Sequence, residues 1–219
     1  MIDFKRNLSF SLVLPVILLW GCHHTQVTYW ESGLKKSELS FRHKKYEGIS
    51  TWWHSNGNKQ MEATYHNNLL EGKTTRWFYH GGVESVTHYA NDRRNGLSIT
   101  FNESGRTLSE ETYRNDTLHG PYTAWFPNGQ IRITGFFDRG SYDSIWTYFN
   151  EYGICIGEGK YLNGTGIQKG FHANGRLMRE IPYVNNKKHG EEIWFDEKGN
   201  PERILVYDND RLLMEKPLK

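Results

Sequence analysis

One column of glycines decides what this chain can fold into. It runs Gly33, Gly57, Gly81, Gly105, Gly129, Gly153, Gly175 and Gly199, in steps of 24 residues with a single step of 22. Four positions ahead of these stand Tyr29, Trp53, Trp77, Phe101, Trp125, Phe149, Phe171 and Phe195. Eight positions behind them stand Phe41, Tyr65, Tyr89, Tyr113, Phe137, Tyr161, Tyr183 and Tyr207. A third column holds Gly48, Gly72, Gly96 and Gly120, then Ser144, with Gly166 and Gly190 resuming after the two-residue deletion. Self-similarity at a fixed short period means a repeat array, in which each unit contacts its neighbours and the core is quasi-one-dimensional.

Each unit reads as two short strands and two turns. In Phe126-Pro127-Asn128-Gly129-Gln130, proline presets φ for a type I turn, Asn tolerates the next position and Gly takes the left-handed one. A three-residue loop of this kind pairs Trp125 with Ile131, and by the same offset Trp77 with Val83, Phe149 with Cys155 and Phe171 with Leu177. Period-2 alternation then places Ile131, Ile133 and Phe137 on one face with Trp125. The second turn, such as His66-Asn67-Asn68-Leu69-Leu70-Glu71-Gly72, reads as longer and Asn/Gly-rich. The expectation is all-β: an elongated, single-layer antiparallel meander of eight units and about 16 strands, twisted because flat open sheets rarely exceed about 10 strands. The array is expected over residues 28–213, with a C-terminal tail at 214–219.

The N-terminus reads as an address. Lys5 and Arg6 precede an apolar run from Leu8 to Trp20, broken only by Ser9 and Ser11. That run is shorter than the roughly 20 residues a spanning helix needs, and its layout is that of a secretory signal over residues 1–21. Leu19-Trp20-Gly21-Cys22 resembles the bacterial lipoprotein box, with Trp20 where a small residue is usual. The resemblance implies that Cys22 carries the lipid and that residues 22–27 are a short tether. It also implies a cell-envelope location, at the outer membrane where the host has one. Cys155 is then left without a partner; the alternative is a Cys22–Cys155 disulfide.

The units themselves, typified by Gly120, Trp125-Phe126, Asn128-Gly129 and Phe137, resemble the bacterial variant of the MORN repeat (membrane occupation and recognition nexus), in particular antitoxin-like proteins of the YwqK type. The resemblance implies a repeat sheet that binds a protein, with a toxin as the partner of an antitoxin or immunity protein. Ser144, Arg139 and the shortened turn around Gly164 depart from the pattern.

Composition bears on which chemistry is open. With 27 bases against 25 acids, the net charge is only +2, and there is no clustered excess for nucleic-acid phosphates. Gly72-Lys73-Thr74 resembles the end of a phosphate loop, but Asn67 stands where the motif needs glycine and no helix follows. Ten histidines scatter without metal-ligand spacing. The carboxylates Glu62, Glu110, Glu158 and Glu180 share a repeat position that Val86 and Thr134 interrupt, so an acid–base pair is not assembled. No enzyme, cofactor, metal or small-molecule substrate is expected.

One group of residues is not accounted for by the repeat. Tyr122, Phe126, Phe136, Trp146 and Tyr148 crowd positions that hold Ser, Thr, Glu or Asn in other units. They read either as partner-binding anchors on the face opposite the aromatic columns or as a second local core. Two functions follow: an envelope lipoprotein that captures a protein, or a structural scaffold at the membrane surface.

Overall fold

A computed structural model describes residues 23–217. Among the described residues there is no helix: nineteen strands form one antiparallel sheet in chain order, open at both end strands. The expected signal segment, residues 1–21, and Cys22 lie outside the described residues. Two courses, Lys45–Tyr46 with Gly48–Trp53 and Lys187–Lys188 with Gly190–Phe195, are each interrupted once, which raises the strand count above the expected one. The other addition is at the start.

That first strand corrects the expected tether. His23–Tyr29 pairs with Lys35–Arg42, from His23 opposite Arg42 to Thr28 opposite Ser37. It is the counterpart of Gly48–Trp53 in the next unit, with His24 in place of the glycine that would have marked it. Its β-branched Thr25, Val27 and Thr28 suit a strand. The expected tail is likewise strand through Lys216, in Arg211–Lys216.

The first turn forms as the sequence predicts. Phe126 N–H donates to Gln130 O at 2.8 Å, Gly129 N–H donates to Phe126 O at 2.9 Å, and Gly129 sits at φ 91°. All four expected cross-strand pairs are present, Trp125 with Ile131 among them. The second turn is tighter than expected. Asn67 and Asn68 have φ 51° and 73°, so two residues make a type I′ reversal, with His66 opposite Leu69. The extra residues sit in a bulge where Gly72 takes φ 85°. Ser144 holds that bulge position at φ 59°. The two-residue deletion removes the bulge itself: Cys155–Leu162 and Thr165–Phe171 pair without a register shift, and Gly166 stays outside the left-handed region.

A further bulge divides the aromatic columns. Gly120 stands opposite Phe137 and Ala124 opposite Ile133, but the next pair is Trp125 with Ile131, skipping Arg132. Side chains alternate along a strand, so Trp125, five residues from Gly120, projects to the face opposite Phe137. The same skip recurs beside Trp53, Trp77, Phe101, Phe149, Phe171 and Phe195. Ile133 and Phe137 therefore do not join Trp125, contrary to the expectation from simple alternation. The sheet has a tyrosine face, carrying the second aromatic column along one turn edge, and a tryptophan face, carrying the first along the other.

Turn side chains tie unit to unit. Asp116 N–H donates to Arg94 O at 2.9 Å, while Arg94 N–H donates to the Asp116 carboxylate at 2.9 Å. Asn68, Asp92 and Asp210 repeat this arrangement on Tyr46, Leu70 and Lys188. Gly140 and Gly164 cannot do so, and Asn186 reaches past a whole unit instead. Its amide accepts from Tyr142 N–H at 2.8 Å and donates to Gly140 O at 2.9 Å.

Candidate interaction surface

The five residues singled out in the sequence do not form one patch. Tyr122 is opposite Gly135, and Trp146 lies over Gly135, where an added methyl carbon would fall 2.2 Å from the indole ring. Tyr148 is opposite Ile133. These three therefore sit on the tyrosine face with Phe137, not on the opposite one. Phe136, opposite Pro121 and Asp143, is on the tryptophan face, and Phe126 belongs to the three-residue turn.

The reading of a second local core describes the first three. Trp146 is 3% exposed, and its ring packs edge-on against Phe137 at 4.9 Å and Tyr142 at 4.8 Å, with Tyr122 tilted at 5.6 Å. Its Nε1–H donates to Phe136 O and Asp143 O, each at 3.1 Å. The cluster continues through Tyr161 to Tyr183, whose rings meet at 5.7 Å. Ile181 and Leu205 extend the buried row beyond it, with Glu192 between them held by Lys188 Nζ at 2.7 Å. In the first units the same middle row is small: Ser50 and Ala63 stand opposite each other, fully buried.

Burial also sets the tyrosine chemistry. It pushes Tyr148 and Tyr161 upward, and raises Tyr183 and Tyr113 to about 12, with the Glu111 carboxylate adding to the effect at Tyr113. Each of these phenols holds its proton more tightly folded than unfolded. For Tyr113 and Tyr183 the contribution to stability is complete below pH 10 and is lost as pH rises toward 12. Alkaline titration followed by phenolate absorbance should show a lag beyond pH 10, ending in a cooperative step as the sheet unfolds. A smooth curve at the unperturbed value would contradict the buried row.

The tryptophan face has the opposite character near the deletion. Ile145 is 63% exposed and Ile167 is 48% exposed, and both line an open groove of about 490 Å³ with Glu158, Lys160 and Lys169. Lys160 lies between the two isoleucines, opposite each of them in register. Pro121 and Phe136 continue the row on the other side of Ile145. An apolar strip rimmed by charges of both signs suits a protein surface rather than bond-making chemistry. The sequence reading missed Ile145 and Ile167. Their signal was the position after the bulge glycine, occupied in turn by Ile49, Lys73, Leu97, Pro121, Ile145, Ile167 and Glu191.

The remaining candidates have structural partners. His54 and His172 share a repeat position, and each ring bonds a carbonyl of the next unit, Trp77 O at 3.1 Å and Phe195 O at 2.8 Å. His119 and His189 lie against Asp138 and Asp208 at 3.1 and 3.2 Å. Glu62 pairs with Lys59 at 2.5 Å and Glu180 with Lys169 at 3.4 Å. Cys155 is free and exposed. Eleven strand pairings separate the first strand from that of Cys155, roughly 50 Å along the sheet at about 4.8 Å per step, far beyond disulfide reach.

Comparison with known families agrees with this geometry. Residues 46–67, 118–139, 165–185 and 188–209 match the family model described as MORN repeat variant. Each match spans one hairpin around a three-residue turn, such as Thr117–Trp125 with Ile131–Asp138. No curated protein matches the chain. An array of such repeats is the architecture of a binding or scaffold protein.

Proposed function

We propose that this protein is a non-enzymatic binding protein of the bacterial cell envelope, anchored through a lipid on Cys22, that captures a protein partner. The partner class favoured is a toxin, in the antitoxin or immunity role that the likeness to MORN-variant proteins implies. The observation that carries the reading is the exposed pair Ile145 and Ile167 with Lys160, Lys169 and Glu158 around it, and the half-buried Phe136 beyond Ile145. Repeat packing does not require an apolar residue at the position of these isoleucines, since two units carry Lys73 and Glu191 there, while Ile49, Leu97 and Pro121 hold it in three others. The signal-like residues 1–21 and Cys22 support the location.

The test is protection. Cells producing an exported toxin encoded beside this gene should survive when the intact precursor is co-expressed. Ile145→Asp should abolish that protection while leaving the melting temperature within about 2 °C, because an exposed substitution moves stability by less than about 0.5 kcal/mol. Full protection by the Ile145→Asp and Ile167→Asp variants would remove the groove from the account. Failure of the intact precursor to protect against any such neighbour would remove the toxin reading.

A further inference from the structure

The first turn on the tyrosine-column edge breaks the chemistry of all the others. The second residue of that type I′ reversal is Asn68, Asp92, Asp116, Gly140, Gly164, Asn186 or Asp210 in the later units. In the first unit it is Lys44, at φ 63°, preceded by His43 at φ 50°. His43 is tolerated in the left-handed region, but Lys44 is not suited to it as Asn, Asp and Gly are. Lys44 also cannot accept the hydrogen bond that the Asx residues take from the neighbouring strand. Turn formation does not explain this choice.

Charge does. Arg42, Lys44 and Lys45 put three exposed cations within four residues, and among the described residues none of them forms an ion pair. The carboxylate beside them, Glu47, is already engaged. Glu47 accepts from Asn67 N–H at 2.9 Å and lies 3.1 Å from His66 Nδ1, and the Asn67 bond keeps it below the usual carboxylate range. Arg42, His43 and Lys45 line an open recess of about 240 Å³ with Glu47, His66 and Asn67, wide enough for a phosphate group. A net charge of +2 for the whole chain hides this local excess.

Position identifies the occupant. His23 stands opposite Arg42, so the first strand begins at the corner where this turn lies. Cys22 precedes it by one residue, a Cα separation of about 3.8 Å. With no flexible tether between them, a lipid on Cys22 brings the turn to the bilayer. We infer that Arg42, Lys44 and Lys45 seat this corner of the sheet on anionic phospholipid headgroups, so that the array stands on the membrane by one turn edge. The inference rests on the anchor reading of Cys22 and adds an orientation to it. Like-charged residues at such a surface act additively, each changing partition about fivefold.

The experiment uses the mature chain from Cys22 onward, carrying Cys22→Ser, sedimented with vesicles of phosphatidylcholine alone or with one-third phosphatidylglycerol. Binding should appear only on the anionic vesicles and should fall as salt rises. The triple variant R42S/K44N/K45S should lower partition about 100-fold. Because Lys44→Asn restores the turn residue of the other units, its melting temperature should not fall, which keeps the result interpretable. Equal partition of the triple variant, or equal binding to neutral vesicles, overturns the inference. The mass of the processed wild-type protein reads lipidation separately: an unmodified Cys22 sinks the anchor, whereas unchanged partition sinks the seating.

Discussion

Trp146→Ala is expected to destabilise the array by about 3–5 kcal/mol, the range for deleting a buried indole. The ring is 3% exposed, touches Tyr122, Phe137 and Tyr142, and its Nε1–H donates to two backbone carbonyls. Truncation leaves both a cavity and two carbonyls without this donor. Because repeat arrays are stabilised unit by unit, the loss should concentrate in the fifth unit and its neighbours. Hydrogen exchange should show the strands Ile131–Asp138 and Ser141–Phe149 opening first, with a lower urea midpoint for the whole. A variant of unchanged stability that no longer binds its partner would return Trp146 to the role of surface anchor.

Gly135→Ala should also be damaging, for a complementary reason. A Cβ there would lie 2.2 Å from Trp146 Cδ2, so either the indole or the strand must move. Overpacking of this kind costs about 1–3 kcal/mol. The two substitutions should be strongly non-additive: with Trp146 already reduced to alanine, the three atoms nearest the new methyl group, all of the indole, are gone. A double-mutant cycle should therefore give a coupling energy close to the whole cost of Gly135→Ala. Simple additivity would mean that the ring does not lie on the glycine.

What could be read from the sequence was set by how local each feature is. The three-residue turn, the pairing of Trp125 with Ile131, and the uninterrupted meander all follow from residues within one unit. The two faces did not follow, because alternation counts residues and the bulge that skips Arg132 breaks the count without any glycine to mark it. Trp146 and Tyr148 were misplaced for that reason. The bulge at Ser144 compounds the error, since a non-glycine at φ 59° is not legible as a left-handed position. The first strand was missed because His24 occupies its glycine position. Aligning the units on the bulge puts Ile145 and Ile167 in a column with Ile49, Leu97 and Pro121 as well as Lys73 and Glu191, but their exposure is seen only in the structure. The basic turn was visible as Arg42-His43-Lys44-Lys45, but its meaning depends on His23 being paired with Arg42, which only the register shows.

Small-angle X-ray scattering from the mature, non-lipidated chain is the most direct check on the open, single-layer array. Seventeen consecutive strand courses at about 4.8 Å give a ribbon roughly 80 Å long. The distance distribution should be skewed and extend to about that length. A symmetric distribution with a radius of gyration of about 16 Å, as for a compact domain of this size, would contradict the account.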